Sequence, residues 1–589
     1  MRARSLLAGL LVLATGCSLP LPRGVRDAGP APTEQSRSGG ISVLPPGPRS
    51  GAVPVDVVQG FLGAQSSAQG RHAIARSFLA AGLRQSWDDA AGVQVIDPAT
   101  LQVEQLPALS RNDEATVTVT AGVTGRVFPD GSYAVADTTL TESYRLQRPR
   151  GGQWRLIDVP AGLRLTTADR LRSYRSLRTY YLAVGDAAEH PGTPHLVPDQ
   201  VLLPVPGGAP PQDVATALVA RLLHPPTQEL GDSVRSAVPR GAGLRSVRLS
   251  TSGTVTVDLS LTGPPPSGRV AQDLSAQLVW TLRDLGPTFT GLRLLAGGER
   301  LAVPGEGAVQ AGGEWDVYDP DGLAPSPPVY YVASRRLRAV GGTTLPAGPA
   351  TAGELGDGHA VPVDAVAVTP DRSRLALLAR LSGNRVAVRL GTPSAPSYAV
   401  AFTGDRLRSP SWGSGGRGLW LLRGDRQVLL LGSGAPRRVD VENPPAGPWT
   451  SLALSRDGVR VALVAAGRLY LGRVAPGPLP LLVGLHQVAP SVLSATVTAW
   501  DSATSVVVLG SLQQTFLPVR VAVNGATVAP LDGPGLPGRP IALTASPAGT
   551  VVTVAGQGKG ASGSASRLYL ANGSGFSGSA TGSAPAYPG

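Results

Sequence analysis

The side chains in this sequence that could do chemistry are one thiol, a few imidazoles and a thin scatter of carboxylates. Cys17 is the single cysteine in 589 residues, so neither an intrachain disulfide nor a thiolate metal cluster can form. The histidines, His72, His190, His195, His224, His359 and His486, are spread along the chain, and each reads as a surface or internally satisfied residue. Asp186, Glu189, His190 and His195 are metal-ligand types close together. Pro191 and Pro194 break any regular spacing among them, however, and no further ligand follows at a typical interval. There is no G-x-S-x-G elbow and no P-loop. The G-x-G-x-x-G at Gly413, Gly415 and Gly418 lies between two strand-like segments and opens no helix, which makes it a turn and not a dinucleotide cradle. Asp371 and Asp457 recur at turn positions, where aspartate is used for its geometry. No catalytic, cofactor-binding or metal-binding residue is therefore expected, and no cofactor. An active site assembled from several blades of a propeller would need none of these motifs.

The thiol is a different matter. Arg2 and Arg4 give a basic start, Leu6 to Ala14 form a short apolar core, and Thr15-Gly16 lead into Cys17. Nine such residues cannot cross a bilayer, which takes roughly 20, so residues 1–16 read as a secretion signal. Cys17 follows it as a lipidated cysteine must to become a new N-terminus, and the placement resembles the bacterial lipobox, with Ala14 where leucine is usual. Cys17 is accordingly the predicted lipidation site, and no other run is long and apolar enough to span a membrane. The expected location is the outer face of the cytoplasmic membrane, lipid-anchored.

Export also settles how the charge reads. Lys and Arg exceed Asp and Glu, 52 to 40, for a net charge of +12, a balance that inside a cell would suggest nucleic acid. Outside, nucleic acid is excluded as a partner. The basic residues are almost all arginine and are spread evenly, which reads mainly as compositional habit and secondarily as attraction toward an anionic envelope surface.

The elements that must position anything functional come in three groups. Residues 17–50 are rich in Pro, Gly, Ser and Arg and read as a flexible lipidated tether. From Val53, helical spacing of Val58, Phe61, Leu62 and Gln65, then Ile74, Phe78 and Leu83, gives way to alternation at Val117, Val119, Ala121 and Val123. Residues 51–165 are thus expected to be a small α+β domain of cystatin-like arrangement. A second α+β unit, 174–306, starts with a strand at Thr179 to Val184 and passes through a Pro-rich loop to a helix carrying Val214, Ala217, Leu218 and Leu222. A hairpin at 244–261 follows, then a helix with Val270, Leu274, Leu278, Thr281, Leu282 and Leu285 on one side, and a closing strand at 288–296. Residues 307–320 read as a linker.

From 321 to 573 the chain repeats. Turn signals at Asp321-Gly322, Asp371, Gly413-Ser414, Asp457-Gly458, Asp501-Ser502 and Ala548-Gly549 recur at intervals close to the roughly 40 to 50 residues of a propeller blade. VAVTPDRSRLALLA, LALSRDGVRVALVA and IALTASPAGTVVTVA share one strand-turn-strand pattern. A β-propeller of about six blades is expected, with five as the alternative, and its last blade should be completed by strands from both ends of the repeat. Residues 574–589, rich in Gly, Ser, Ala and Pro, read as a disordered tail. The fold class is therefore multidomain: two small α+β domains followed by an all-β propeller.

In this order the signal, the α+β domain, the middle unit and the propeller resemble the actinobacterial LpqB lipoproteins. The middle unit resembles the GerMN domain of spore-germination proteins through DVATALVARLL, SAVPRGAGLRSV, GTVTVDLS and AQLVWTLRDL, and the blades resemble TolB-like repeats through SRDGVRVALV and the RLYL strands. The resemblance implies an accessory protein of an MtrAB-type two-component system. Its partner would be the extracellular domain of the MtrB-type sensor histidine kinase, with consequences for envelope homeostasis and division. It carries over no catalytic residue. Two other readings stand beside it: a propeller hydrolase or lyase acting on cell-wall polymer, and a structural lipoprotein that binds that polymer. Acidic or histidine side chains converging at the propeller mouth would favour the enzyme; a mouth of Arg, Gly and apolar residues would favour binding.

Overall fold

The computed structural model describes residues 44–589, apart from 107–112, 185–195, 324–326, 334–335, 341–349, 355–362, 394, 396–397, 417, 478, 532–535, 555–565 and 572–574. Cys17, the tether as far as residue 43, the Asp186–His195 group and His359 lie outside the described residues.

The N-terminal domain opens with helix α1 (Pro54–Ala64), which has Pro54 in its first turn, where a missing N–H costs nothing, and Asp56 beside the positive helix end. Val57, Val58, Phe61 and Leu62 recur on one face and are buried. Burying each such side chain contributes about 1.5–3 kcal/mol. Helices α2 (Gln69–Ser77) and α3 (Ala81–Ser86) follow. Across them lies a sheet in the order 155–158, 133–147, 114–127, 93–96 and 163–166, with 102–105 paired to the long third strand. Val117, Val119, Tyr144, Leu146 and Leu156 face the helices in one core. The alternation in 114–127 emerges as strict burial at every second position. Gln65, placed on the apolar stripe by its spacing, is 1% exposed because its amide oxygen accepts the Arg164 backbone N–H at 2.6 Å.

Helix α4 (Thr167–Ser173), capped by the Thr166 hydroxyl, leads into the second domain. There the hairpin is as expected, Gly243–Leu249 antiparallel to Thr254–Ser260, and Gly291–Ala296 closes the sheet by pairing parallel to the second of these strands. Helices α5 (Pro211–Leu222) and α6 (Gly268–Leu282) pack on it. Three expectations change. The Pro-rich stretch contains a strand, Leu196–Leu203, paired antiparallel to Arg175–Ala183 despite Pro198. Val270, expected to begin the apolar stripe of α6, is 50% exposed, while Ala271 and Leu274 carry the buried face. Residues 307–320 are no free linker: Gln310–Ala311 pairs with 291–292, and Trp315 and Tyr318 are part of the domain core.

Beyond this domain, the described residues form six groups of four antiparallel strands. The innermost strands, Ser583–Ala586, Val363–Val368, Leu407–Trp412, Trp449–Leu454, Leu493–Ser502 and Pro540–Ser546, neighbour one another in a closed ring. Numbered from the group of Ser583–Ala586, they are the first to sixth blades. The third and fourth are further joined through their outer strands, where Asp440 and Val441 pair parallel to Leu481 and Leu482. The first blade combines strands from both ends of the region, Val329–Ala333 pairing with Ser583–Ala586. The tail is therefore not disordered: Phe576–Thr581 and Ser583–Ala586 are strands. Small side chains that look unstructured by composition are ordered here because Arg567–Ala571 of the sixth blade offers a ladder to the first of these strands and the open edge of the first blade offers one to the second, and pairing removes those edges.

Candidate functional site: the propeller axis and the domain junction

The inner strands of the second to sixth blades each turn back at the same end of the ring. At Thr369–Arg374 the turn is closed by Asp371, whose Oδ1 accepts from the Ser373 N–H at 3.0 Å and from the Thr369 and Ser373 hydroxyls. The fourth blade repeats this with Asp457, which accepts the Val459 N–H at 2.9 Å and the Ser455 hydroxyl. Gly458 adopts φ +74° there and leaves no room for a Cβ, which would stand 2.5 Å from Ser414. These aspartates shape turns, as their recurrence suggested. Gly413 to Gly418 likewise connect two strands of one blade. Asp321 does not: it precedes the first blade's strands and has another role.

That role concerns Arg456. Its side chain, carried by the fourth blade's turn, points into the ring and is 4% exposed. Nη2 donates to the carbonyls of Trp500 at 3.1 Å and Ala545 at 2.9 Å, and Nε to that of Pro588 at 3.4 Å. Three other blades are thereby tied to one guanidinium, whose planar fork suits several acceptors at once. Asp321 Oδ1 lies 3.5 Å from Nη1. Burial pushes the Asp321 carboxyl up to about 7 against the pull of Arg456, and burial also lowers the Arg456 guanidinium.

The same end of the propeller meets the two α+β domains. Arg460 donates from Nη2 to the Pro198 carbonyl of the second domain, and its Nη1 is 3.7 Å from Asp457 Oδ2. Arg473 pairs with Asp232 at 2.6 Å, and the Ser233 hydroxyl donates to the Val474 carbonyl. Gly231, at φ +48°, lets the Arg473 guanidinium come close, since a Cβ there would lie 2.7 Å from it. Val459 belongs to the second domain's core and Ala526 packs on the first domain's core. Between those two domains Arg221 Nε donates to the Asp130 carbonyl and the Leu202 N–H to that of Gly131, each at 2.8 Å.

Within this junction Asp199 is 1% exposed and held by the Thr227 N–H and hydroxyl at 2.8 and 2.7 Å, with Arg221 at 3.5 Å. Burial raises its pKa. A cleft of about 230 Å³ opens beside it, lined by Glu229, Arg460, Arg473 and His486 among others. Burial drives the Glu229 carboxyl up to about 7, with Arg460 opposing. His486 is exposed, its Nδ1 3.0 Å from the Gly484 oxygen. His72 is half-buried in the first domain, lowered by burial, and His224 is exposed, its carbonyl accepting from Tyr181. The described histidines are not brought together. Among the described residues no group of three or more His, Cys, Asp or Glu side chains could hold a metal ion, and no helix is long and apolar enough to cross a membrane.

The sequence reading missed Arg456, Arg460, Arg473 and Glu229. A signal existed for two of them, since Arg456 and Arg460 flank the Asp457-Gly458 turn, but hydropathy places arginine on surfaces.

Residues 47–170 match the family described as "Lipoprotein LpqB, N-terminal domain", 178–302 "Sporulation and spore germination", and 347–566 "Lipoprotein LpqB beta-propeller domain". Lipoprotein LpqB of Streptomyces coelicolor is 29% identical over 85% of both chains. That of Rhodococcus jostii is 28% identical over 92% of this chain and 90% of its own. Among solved structures, TolB from Acinetobacter baumannii aligns over 44% of this chain and 66% of its own, with 16% identity and a TM-score of 0.34.

Proposed function

The chain belongs to the LpqB lipoprotein family, and from that premise we propose that it is anchored through Cys17 to the outer face of the cytoplasmic membrane and modulates a sensor histidine kinase by binding its extracellular domain. One observation carries the choice of binding over catalysis. The propeller end where the inner strands turn is filled by the Arg456 guanidinium, which is spent on backbone carbonyls, and is covered by the docked domains. A channel closed in this way cannot admit a wall polymer from that side. The docked domains and the propeller also form one body, so a contact made on any of them is held in a fixed relation to the others. Lipid anchoring would then raise the effective concentration of that body toward a kinase in the same membrane.

The test is direct. The purified protein without its signal should bind the kinase ectodomain weakly, and depletion of the anchored protein in cells should change phosphorylation of the cognate regulator. No ectodomain binding together with unchanged phosphorylation would leave the wall-polymer readings, and a released sugar or peptide product on incubation with wall polymer would select the enzyme among them.

A further inference from the structure

The two ends of the propeller use their charged side chains differently. At the end docked to the other domains lie Asp371, Asp457, Asp501 and Asp321, each used within turns or beside Arg456, Arg460 or Arg520. Following the antiparallel strands to the opposite end of each blade reaches a different set. Arg385 begins a strand of the second blade, Arg423 ends one of the third, Arg539 precedes the sixth and Arg567 begins its third strand. All four are exposed, and among the described residues none has a carboxylate partner. Arg539 stacks over Phe516 with its guanidinium carbon 4.2 Å from the ring centroid. Arg380 and Arg406 are paired there with Asp364 and Asp425, at 2.7 and 3.2 Å.

At the centre of this arginine rim, where the inner strands begin, two large apolar side chains are exposed on neighbouring blades, Leu493 at 45% and Ile541 at 52%. A cleft of about 290 Å³ opens at the same end over Trp449, walled by Val439, Val441 and Pro444 and flanked by Arg426 and Arg438. An apolar centre with an arginine-rich rim is the anatomy of a protein-binding patch. A uniformly anionic membrane would also attract the arginines, but the exposed Asp364, Asp405 and Asp425 interleaved with them suit a patterned surface better than a continuous one.

We propose that the end of the propeller remote from the docked domains is a docking face for a protein partner that presents acidic side chains around apolar ones. Charge on the rim sets orientation and association rate, and Ile541, Leu493 and the Trp449 cleft take the apolar contacts. The inference concerns the face and the chemistry it accepts, and it holds whether or not the partner is a kinase.

The experiment uses the full chain without its signal and, as probe, a synthetic peptide of glutamates interspersed with leucines, alongside phosphatidylglycerol vesicles. A rim variant, Arg385→Glu with Arg423→Glu and Arg567→Glu, is compared with a control of equal charge change on the other domains, Arg126→Glu with Arg248→Glu and Arg293→Glu. All six side chains are exposed, so both variants should keep the parent's melting behaviour. The rim variant is expected to lose about tenfold or more in peptide affinity at low salt, with Ile541→Ser also weakening binding and the control unchanged. No peptide binding by the parent protein, an equal loss in both variants, or rim-dependent binding to vesicles without binding to the peptide would each overturn the proposal. Because the probe is not the kinase, peptide binding that survives a failed ectodomain assay would separate this face from the functional reading above.

Discussion

The Arg456 guanidinium lies 2.9 Å from the carbonyl oxygen of Ala545, a residue on a blade two positions further round the ring. Together with its bonds to Trp500 and Pro588, this makes one side chain a cross-brace of the propeller axis. Arg456→Ala would leave those carbonyls and Asp321 without their buried partner, at a cost of about 3–5 kcal/mol. Arg456→Lys should lie between, because an ammonium lacks the planar fork. Thermal unfolding of the two variants checks the order; a midpoint for Arg456→Ala equal to the parent's would show that the brace contributes nothing.

Truncation after Gly582 removes the inner strand of the first blade, Ser583–Ala586, and with it the pairing to Val329–Ala333. The expected result is loss of cooperative melting for the whole propeller, since an open ring exposes strand edges on both sides of the gap. Calorimetry would refute this if the truncated chain kept the parent's single transition.

The two arginines at the domain junction should differ. The Arg473–Asp232 pair is partly solvated, with the Asp232 side chain 75% exposed, and Arg473→Ala should cost under about 1 kcal/mol. Arg460, 6% exposed beside a fully buried Asp457, should cost about 3 kcal/mol or more when replaced by alanine, because the carboxylate left behind is buried. Denaturant titration of both variants, with limited proteolysis between the domains, gives the comparison.

Stability should fall as pH rises from about 4 to 7. Glu229 and Asp321 are each pushed up to about 7 from ordinary values of 4.5 and 3.8. Between those values the folded protein holds protons that the unfolded chain has released, so unfolding releases protons and acid favours the folded state. Above pH 7 both groups are ionised in either state and the dependence from this source ends. Melting midpoints for Glu229→Gln and Asp321→Asn, measured across this range, should be flatter than the parent's; identical slopes would assign the pH dependence elsewhere.

Cys17→Ala should abolish lipid attachment. Metabolic labelling with a lipid precursor, followed by fractionation, reads the result, and label retained by the variant would place the anchor at another residue.

Much of the architecture was legible from periodicity alone. Strict alternation at Val117 to Val123 marked the heart of the Glu114–Val127 strand, and turn signals marked the inner-strand ends at Asp371, Gly413, Asp457 and Ser502, because the period of two and the demands of tight turns are local properties. Lone Cys17 after a short apolar run carried the anchoring prediction for the same reason. What local pattern could not decide were the choices made by distant partners. Ser583–Ala586 has no apolar run, and is a strand because Val329–Ala333 offers it a ladder. Asp321 looked like a blade turn, and instead faces an arginine 135 positions away. Arg456 and Arg460 carry no local sign of burial, yet the ring and the second domain close over them and bring carbonyl acceptors to them, those of Trp500, Ala545 and Pro588 to Arg456 and that of Pro198 to Arg460. Burial of a charged group depends on which acceptors the whole chain brings to it, and that information exists only once the blades have met.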